Sequence, residues 1–512
     1  MLVKTYAAAV QGISATVVTI EVNCSKGIKF FLVGLPDVAV KESHERIISA
    51  LQIHGYKFPG NRVVVNMAPA DIRKEGAAYD LPLAIGILAA SGQIDASRLE
   101  HFMLMGELSL DGTLQPVRGV LPIAVKAREA GFRGFIVPQQ NAREAAVVDG
   151  LEVYGAATIQ EVAEFIGGHA ALTPVTVQAH EEFYARQHAF ECDFSDVRGQ
   201  ESVKRALEVA AAGGHNLLMV GAPGSGKSML AKRLPTILPP FTLQESLETT
   251  KIHSVAGKIT GDTSLMVQRP FRSPHHTISN VAMVGGGSYP QPGEISLAHN
   301  GVLYLDELPE FNRNVLEVMR QPLEDRKITI SRTRSTVEYP AGFMLVASMN
   351  PCPCGYYNHP DRPCVCTPGA VQKYMNRISG PLLDRIDIQV EIVPVPFEKI
   401  SAAAPAESSA AVRERVIRAR KVQEARFREY DGMYCNAQME PKQLHRFAVP
   451  DAAGLELLKN AMSRLNLSAR AYDRILKVSR TIADLAGSPE ITIEHLAEAI
   501  NYRNLDREEW GT

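Results

Sequence analysis

A chain of 512 residues is long enough for about three domains, and 46% hydrophobic with 21% charged residues is the composition of a protein that buries real cores, which excludes disorder and collagen-like structure. With 54 Lys and Arg against 56 Asp and Glu the charges nearly cancel, so any grip on nucleic acid must come from a local surface. No run nears the roughly 18 apolar residues of a membrane span, and Met1-Leu-Val-Lys-Thr-Tyr-Ala7 lacks a charged-then-apolar leader, so a cytoplasmic protein is expected.

In chain order, Thr16 to Val22, Phe30 to Gly34 and Arg62 to Met67 are β-branched or aromatic runs that predict strands, and Ala84 to Ala90 has helical content. Residues 1–168 therefore form a mixed α/β domain. Residues 169–190, polar and broken by Gly and Pro, are expected to be a linker. Residues 191–395 carry the chemistry. Asn216-Leu-Leu-Met-Val220 predicts a strand that runs directly into Gly221-Ala222-Pro223-Gly224-Ser225-Gly226-Lys227-Ser228 and then a helix, the setting of a phosphate-binding loop. Its glycines let backbone N–H groups face phosphates, Lys227 reaches the β and γ oxygens of ATP, and Ser228 contacts Mg²⁺.

Lys258 to Pro292 holds Arg269, Arg272, His275, His276 and the flexible Gly285-Gly-Gly, a basic insert. Gly301-Val-Leu-Tyr-Leu305 then ends in Asp306 and Glu307, one carboxylate to hold Mg²⁺ and the other to polarise the attacking water; alone, the pair reads equally as a solvated strand end. Between Glu324 and Tyr339, β-branched and basic residues alternate, which predicts a hairpin presenting Arg326, Lys327, Arg332 and Arg334, either to DNA or simply to solvent. Phe343 to Ser348 predicts a further strand. Asn350 beyond it lies where ligands bind at strand ends, or serves only as a turn former before Pro351. Of seven Cys, four form a Cys-x-Cys, nine residues, Cys-x-Cys pattern: Cys352, Cys354, Cys364 and Cys366. Four thiolates suit a structural Zn²⁺ site, although Cys-x-Cys is tighter than usual and His359 is an alternative ligand; reduced loop thiols and an iron–sulfur cluster are the other readings. Residues 396–512 repeat apolar residues at helical spacing over Val412 to Tyr430, Ala452 to Leu465, Ala469 to Ala486 and Ile493 to Asn501, with Thr492 as a cap.

The order Gly-x4-Gly-Lys-Ser, apolar-Asp-Glu, apolar-Asn and Leu382-Leu-Asp-Arg385-Ile-Asp resembles an AAA+ ATPase of the magnesium-chelatase-like branch. Arg272-Ser-Pro-His-His-Thr277, Asn350-Pro-Cys-Pro-Cys-Gly355 and Ser379 to Asp387 resemble the ComM/YifB family, and the likeness runs over the whole chain. The resemblance implies an AAA+ P-loop core with a parallel sheet and a helical lid. It makes Asn350 the sensor-1 residue, Arg385 an arginine finger acting on a neighbouring subunit, and Arg470 the sensor-2 residue of the lid, with Arg474 as a lesser, solvated candidate. It further implies a homo-hexameric ring that hydrolyses ATP and acts on DNA, in branch migration during recombination or transformation, with the hairpin facing the pore and the Lys258 to Pro292 insert as a second pore-loop candidate. Met105 to Gly119 and Gly134 to Pro138 resemble the proteolytic domain of Lon, but Ala78 stands at the Ser position and Leu121-Pro122 at the Lys position. Lys126, one turn on, is expected at the surface. A protein-remodelling or proteolytic machine and a chelatase motor are the alternatives.

Overall fold

The computed structural model describes residues 2–259, 263–287, 290–332, 335–395, 406–430, 432–465 and 467–503. The chain forms two compact units, Met1–Ala185 with Leu243–Val267, and Arg186–Thr242 with Gln268–Thr512.

The first unit is built on a seven-stranded mixed sheet of β1 (Leu2–Gln11), β2 (Ser14–Ser25), β3 (Phe30–Val33), β4 (Arg62–Ala68), β5 (Phe102–Leu104), β6 (Gly134–Pro138) and β7 (Glu152–Ala156), in the order β3-β4-β2-β1-β5-β6-β7. β2 is antiparallel to both β1 and β4, and the remaining pairings are parallel. Against it packs the helix Asp80–Ala90, all of whose residues are buried, because Leu81 to Ala90 is apolar on every face. The stretch expected as a linker carries a helix, Ala179–Arg186. Phe183 anchors it by burial, an apolar contact hidden within a polar segment. The helix Leu243–Val255 also belongs to this unit: Gly119 N donates to Ser254 O at 3.0 Å, and Leu243 and Leu247 pack on the same core.

The second unit holds a five-stranded, wholly parallel sheet of β8 (Leu217–Gly221), β9 (Phe271–Arg272), β10 (Val302–Leu305), β13 (Met344–Met349) and β14 (Ile388–Ile392), in the order β9-β10-β13-β8-β14. An antiparallel hairpin, β11 (Lys327–Arg332) and β12 (Ser335–Pro340), immediately precedes β13. Its central strands β8, β10 and β13 are buried along their whole length, so they are continuous runs rather than alternating ones. The helices Ser409–Phe427, Ala452–Arg464, Ala469–Ala486 and Ile493–Asn501 contribute Val416, Leu458, Ile475 and Leu496 to the same hydrophobic core as Leu207, Met219 and Tyr304. Thr492 is the N-cap of the last of them. No described helix is long and apolar enough to cross a membrane.

Candidate nucleotide site

Because β10, β13 and β8 are parallel neighbours, the segments following them open at one edge of the sheet. After β8 the chain turns through Gly224 (φ 78°) and Gly226 (φ 91°), a left-handed backbone that side chains resist, and the helix Lys227–Arg233 begins at once. Its N-terminal turn directs free amides at the loop. Lys227 Nζ donates to the carbonyls of Gly221 at 2.7 Å and Ala222 at 2.9 Å, and to Asn350 Oδ1 at 3.1 Å. Burial lowers the Lys227 ammonium below its ordinary range, against the pull of Asp306 and Glu307.

Ser228 Oγ donates to Asp306 Oδ2 at 2.8 Å, while Asp306 Oδ1 accepts from the Ser348 hydroxyl and, at 3.1 Å, from the Glu307 amide. Tyr304 completes the group, its hydroxyl 3.2 Å from Ser228 Oγ and 2.9 Å from Ser348 Oγ. Burial pushes the Asp306 carboxyl up, but hydrogen bonds from Ser348, Ser228 and Tyr304 outweigh it and hold the group below the usual carboxylate range. A hydroxyl and a fixed carboxylate are hard oxygen donors of the kind Mg²⁺ takes. Glu307 sits in a left-handed turn (φ 54°) with its carboxylate more than half exposed, and Oε2 lies 3.4 Å from His276 Nδ1. The sequence places His276 in a pore-loop candidate; the fold brings it to the carboxylate. The sequence assigns Tyr304, Ser348 and His276 no part in this site, although His276 falls in the Arg272-Ser-Pro-His-His-Thr277 motif.

The predicted arginines gather elsewhere on the chain. Arg385 is almost wholly buried, ion-paired with Glu324 Oε1 at 2.5 Å and bonded to the Pro381 carbonyl. Arg470 is exposed and pairs with Asp384 at 3.2 Å. Arg474, expected to be solvated, is instead only 21% exposed and pairs with the buried Asp387 at 3.0 Å; the apolar packing of its helix carries it inward. All three line one cleft with Glu324, Asp384 and Lys477, and no phosphate-loop residue lines it. Burial and the neighbouring Arg474 push the Lys477 ammonium down to about 8.

Residues 193–400 match the family model of magnesium chelatase, subunit ChlI, residues 406–503 that of the ChlI C-terminal region, and residues 20–141 a third, subunit ChlI of Mg-chelatase. Competence protein ComM of Haemophilus influenzae is 45% identical over 98% of this chain and 97% of its own, and protein YifB of Salmonella typhimurium is 45% identical over 97% and 96%. The chain belongs to the ComM/YifB family. Its magnesium-chelatase-like AAA+ core implies ATPase activity, ATP and Mg²⁺ as its ligands, and oligomerisation. Lon protease 2 of Bacillus subtilis is 29% identical over 25% of the chain, a Lon-like similarity in the N-terminal region of this ComM/YifB protein.

In that region lie Ala78 and Leu121-Pro122, the positions to which the Lon resemblance points. Ala78 O accepts from Gly106 N at 2.9 Å, and Leu121 and Pro122 are buried, with Leu121 N donating to Glu144 Oε1 at 3.1 Å. Lys126 lies at the surface, 3.2 Å from Glu129. Elsewhere in this ComM/YifB chain, the β11–β12 hairpin has Lys327 paired with Glu338 at 3.1 Å. Arg326 stands at its base in a left-handed turn (φ 55°), where its charge reaches Lys477. Arg334 and the Arg332 side chain lie outside the described residues. Cys352, Cys354, Cys364 and Cys366 bring their four sulfurs within 4.8 Å of one another, a group that could hold a metal, whereas His359 Nδ1 accepts from the backbone amides of Asp361 and Arg362.

Proposed function

We propose that the protein is a ring-forming, ATP-dependent motor on DNA, a homo-hexamer that drives branch migration in recombination or natural transformation. The observation that carries the reading is the division of the catalytic set. Lys227, Ser228, Asp306, Glu307 and Asn350 meet at one sheet edge, while Arg385, Arg470 and Arg474 line a different cleft of the same chain. Nucleotide is held by Gly221 to Ser228, with Lys227 on the β and γ oxygens. Ser228 and Asp306 hold Mg²⁺, which when bound neutralises the charge that develops on the phosphates. Glu307 orients the attacking water and Asn350 orients Lys227 and the terminal phosphate. The arginine cleft of one subunit faces the nucleotide of the next, so that hydrolysis in each subunit needs its neighbour, and a closed ring satisfies every site.

DNA as the track is supported by the name of the ComM relative, a competence protein, and by the hairpin, whose basic residues are multiplied sixfold around a pore. The work is cytoplasmic, where ATP and DNA meet. Ala78 and Leu121-Pro122 supply neither nucleophile nor base, which speaks against proteolysis. The four cysteines hold structural Zn²⁺. A branch-migration assay on a four-way junction tests the reading: ATP-dependent strand exchange with ATPase stimulation by forked DNA is expected. Stimulation by unfolded protein alone would replace the motor with a protein remodeller.

A further inference from the structure

We infer that the tetrathiolate is a metal-held brace on the phosphate loop, so that its occupancy sets the affinity for ATP. This rests on the zinc and ATP readings above and adds the coupling between them. Residues 351–367 form a segment without helix or strand that departs from Asn350. It rejoins the unit at the helix Pro368–Met375, whose buried Tyr374 has its hydroxyl in hydrogen-bond contact with the Asn350 backbone. About half of the segment is exposed and little of it is buried. Its buried residues are Pro351, Cys352 and Gly355, so little apolar packing fixes a loop of this length.

The sulfurs supply what the packing lacks. Cys352 Sγ is 3.3 Å from Cys354 Sγ and 3.7 Å from Cys364 Sγ, and Cys354 Sγ is 3.6 Å from Cys364 Sγ. A disulfide needs about 2.05 Å. Four sulfurs around a tetrahedral Zn²⁺ at about 2.3 Å stand about 3.8 Å apart, close to the observed spacing. Soft thiolates select a zinc-class ion over Mg²⁺, so the magnesium of the ATP reaction does not compete for the place.

Gly355 follows Cys354 directly, in a left-handed turn (φ 84°), and faces Pro223: a Cβ at 355 would stand 2.5 Å from Pro223 Cδ and 2.8 Å from Cγ. Pro223 lies in the phosphate loop between Ala222, whose carbonyl holds Lys227 Nζ, and Gly224. The metal thus fixes a segment that touches the phosphate loop at Gly355 and the sensor position at Asn350. Two of the contacts that hold Lys227 Nζ, at Ala222 O and Asn350 Oδ1, thus lie at the two places it touches.

The test uses the full-length protein, with metal content measured by mass spectrometry, binding of a fluorescent ATP analogue, and KM and kcat for ATP at saturating Mg²⁺. About one zinc per chain is expected. Removing it with a zinc-selective chelator should raise KM and the analogue's Kd about tenfold. Added Zn²⁺ should restore both, and extra Mg²⁺ should not. Gly355→Ala should keep its zinc and show the same rise in KM, with a somewhat lower melting temperature from the strained turn. A chain that carries and binds no zinc-class metal ends the zinc reading and the brace with it. Stoichiometric zinc with KM unchanged on its removal and in Gly355→Ala overturns the brace alone. Zinc with no binding or hydrolysis of ATP ends the ATP reading.

Discussion

His276 Nδ1 lies 3.4 Å from Glu307 Oε2, so an imidazole is set against the carboxylate assigned to the attacking water. Glu307 is otherwise exposed in a left-handed turn, and its aim depends on that neighbour. His276→Ala should therefore lower kcat by as much as about 100-fold, the cost of a misplaced catalytic group, with KM for ATP unchanged because no phosphate contact is lost. His276→Asn, which keeps a donor, should retain more activity. Steady-state ATPase kinetics on the two variants decide it; a change in KM alone would place His276 in binding instead.

Asp306 is held below the usual carboxylate range. Burial works against that, and the three hydroxyls of Ser348, Ser228 and Tyr304 prevail. A carboxylate depressed in the folded protein keeps its charge above the unfolded value of about 3.9 and gives it up only as pH falls through the lower folded value. Mg²⁺-dependent nucleotide binding should accordingly stay level from pH 8 down to about 5. Tyr304→Phe removes a donor and should move the acid limb upward. Titration of Mg²⁺ against a bound fluorescent nucleotide at several pH values measures both, and an acid limb unmoved in Tyr304→Phe would show that the hydroxyl does not set it.

The legible part of the site was what the backbone keeps contiguous. The phosphate loop, Asp306 with Glu307, and Asn350 each sit at the end of an apolar run that can only be a buried strand, and parallel strands must open their ends to one side. Tyr304, Ser348 and His276 were not legible because they act across strands and loops, through contacts that no spacing along the chain encodes. β1 escaped because Tyr6-Ala-Ala-Ala-Val10 has the composition of a helix, and only the pairing with β2 makes it a strand. The helix Leu243–Val255 falls inside the stretch that carries the ATPase motifs, yet it packs in the first unit, a tertiary choice its own sequence does not reveal.

Arg385 and Lys227 serve different subunits in the proposed ring, which makes mixing experiments decisive. Lys227→Ala and Arg385→Ala should each lose ATPase activity, the second by ~10³-fold or more. Mixed together they should recover part of it. Interfaces then form in which an intact Lys227 on the Arg385 variant meets an intact Arg385 on the Lys227 variant. Absence of recovery in co-assembled rings would place Arg385 in its own subunit's chemistry.

The link between the segment of Arg385 to Asp387 and the helix of Arg470 and Arg474 should show in acid. His215 is fully buried, its Nε2 2.8 Å from Thr481 Oγ1 and its Nδ1 3.4 Å from Asp387 Oδ2, with Lys477 and Arg420 adding positive charge nearby. Burial depresses its imidazolium, and the Asp387 carboxylate, held by Arg474, recovers only part of the cost. The folded chain keeps this imidazole neutral while the unfolded chain binds a proton near pH 6.5, so stability is full above that value and falls as pH drops toward the lower folded value. The slope from this one group is about 1.4 kcal/mol per pH unit. Urea unfolding followed between pH 8 and 5 should show the midpoint descending below about pH 6.5. His215→Gln should be flatter by one proton, and Asp387→Asn, which strips Arg474 of its buried partner, should be less stable throughout by about 3 kcal/mol. Equal slopes for wild type and His215→Gln would mean that the imidazole is protonated in the folded protein and that the Asp387 pair outweighs burial.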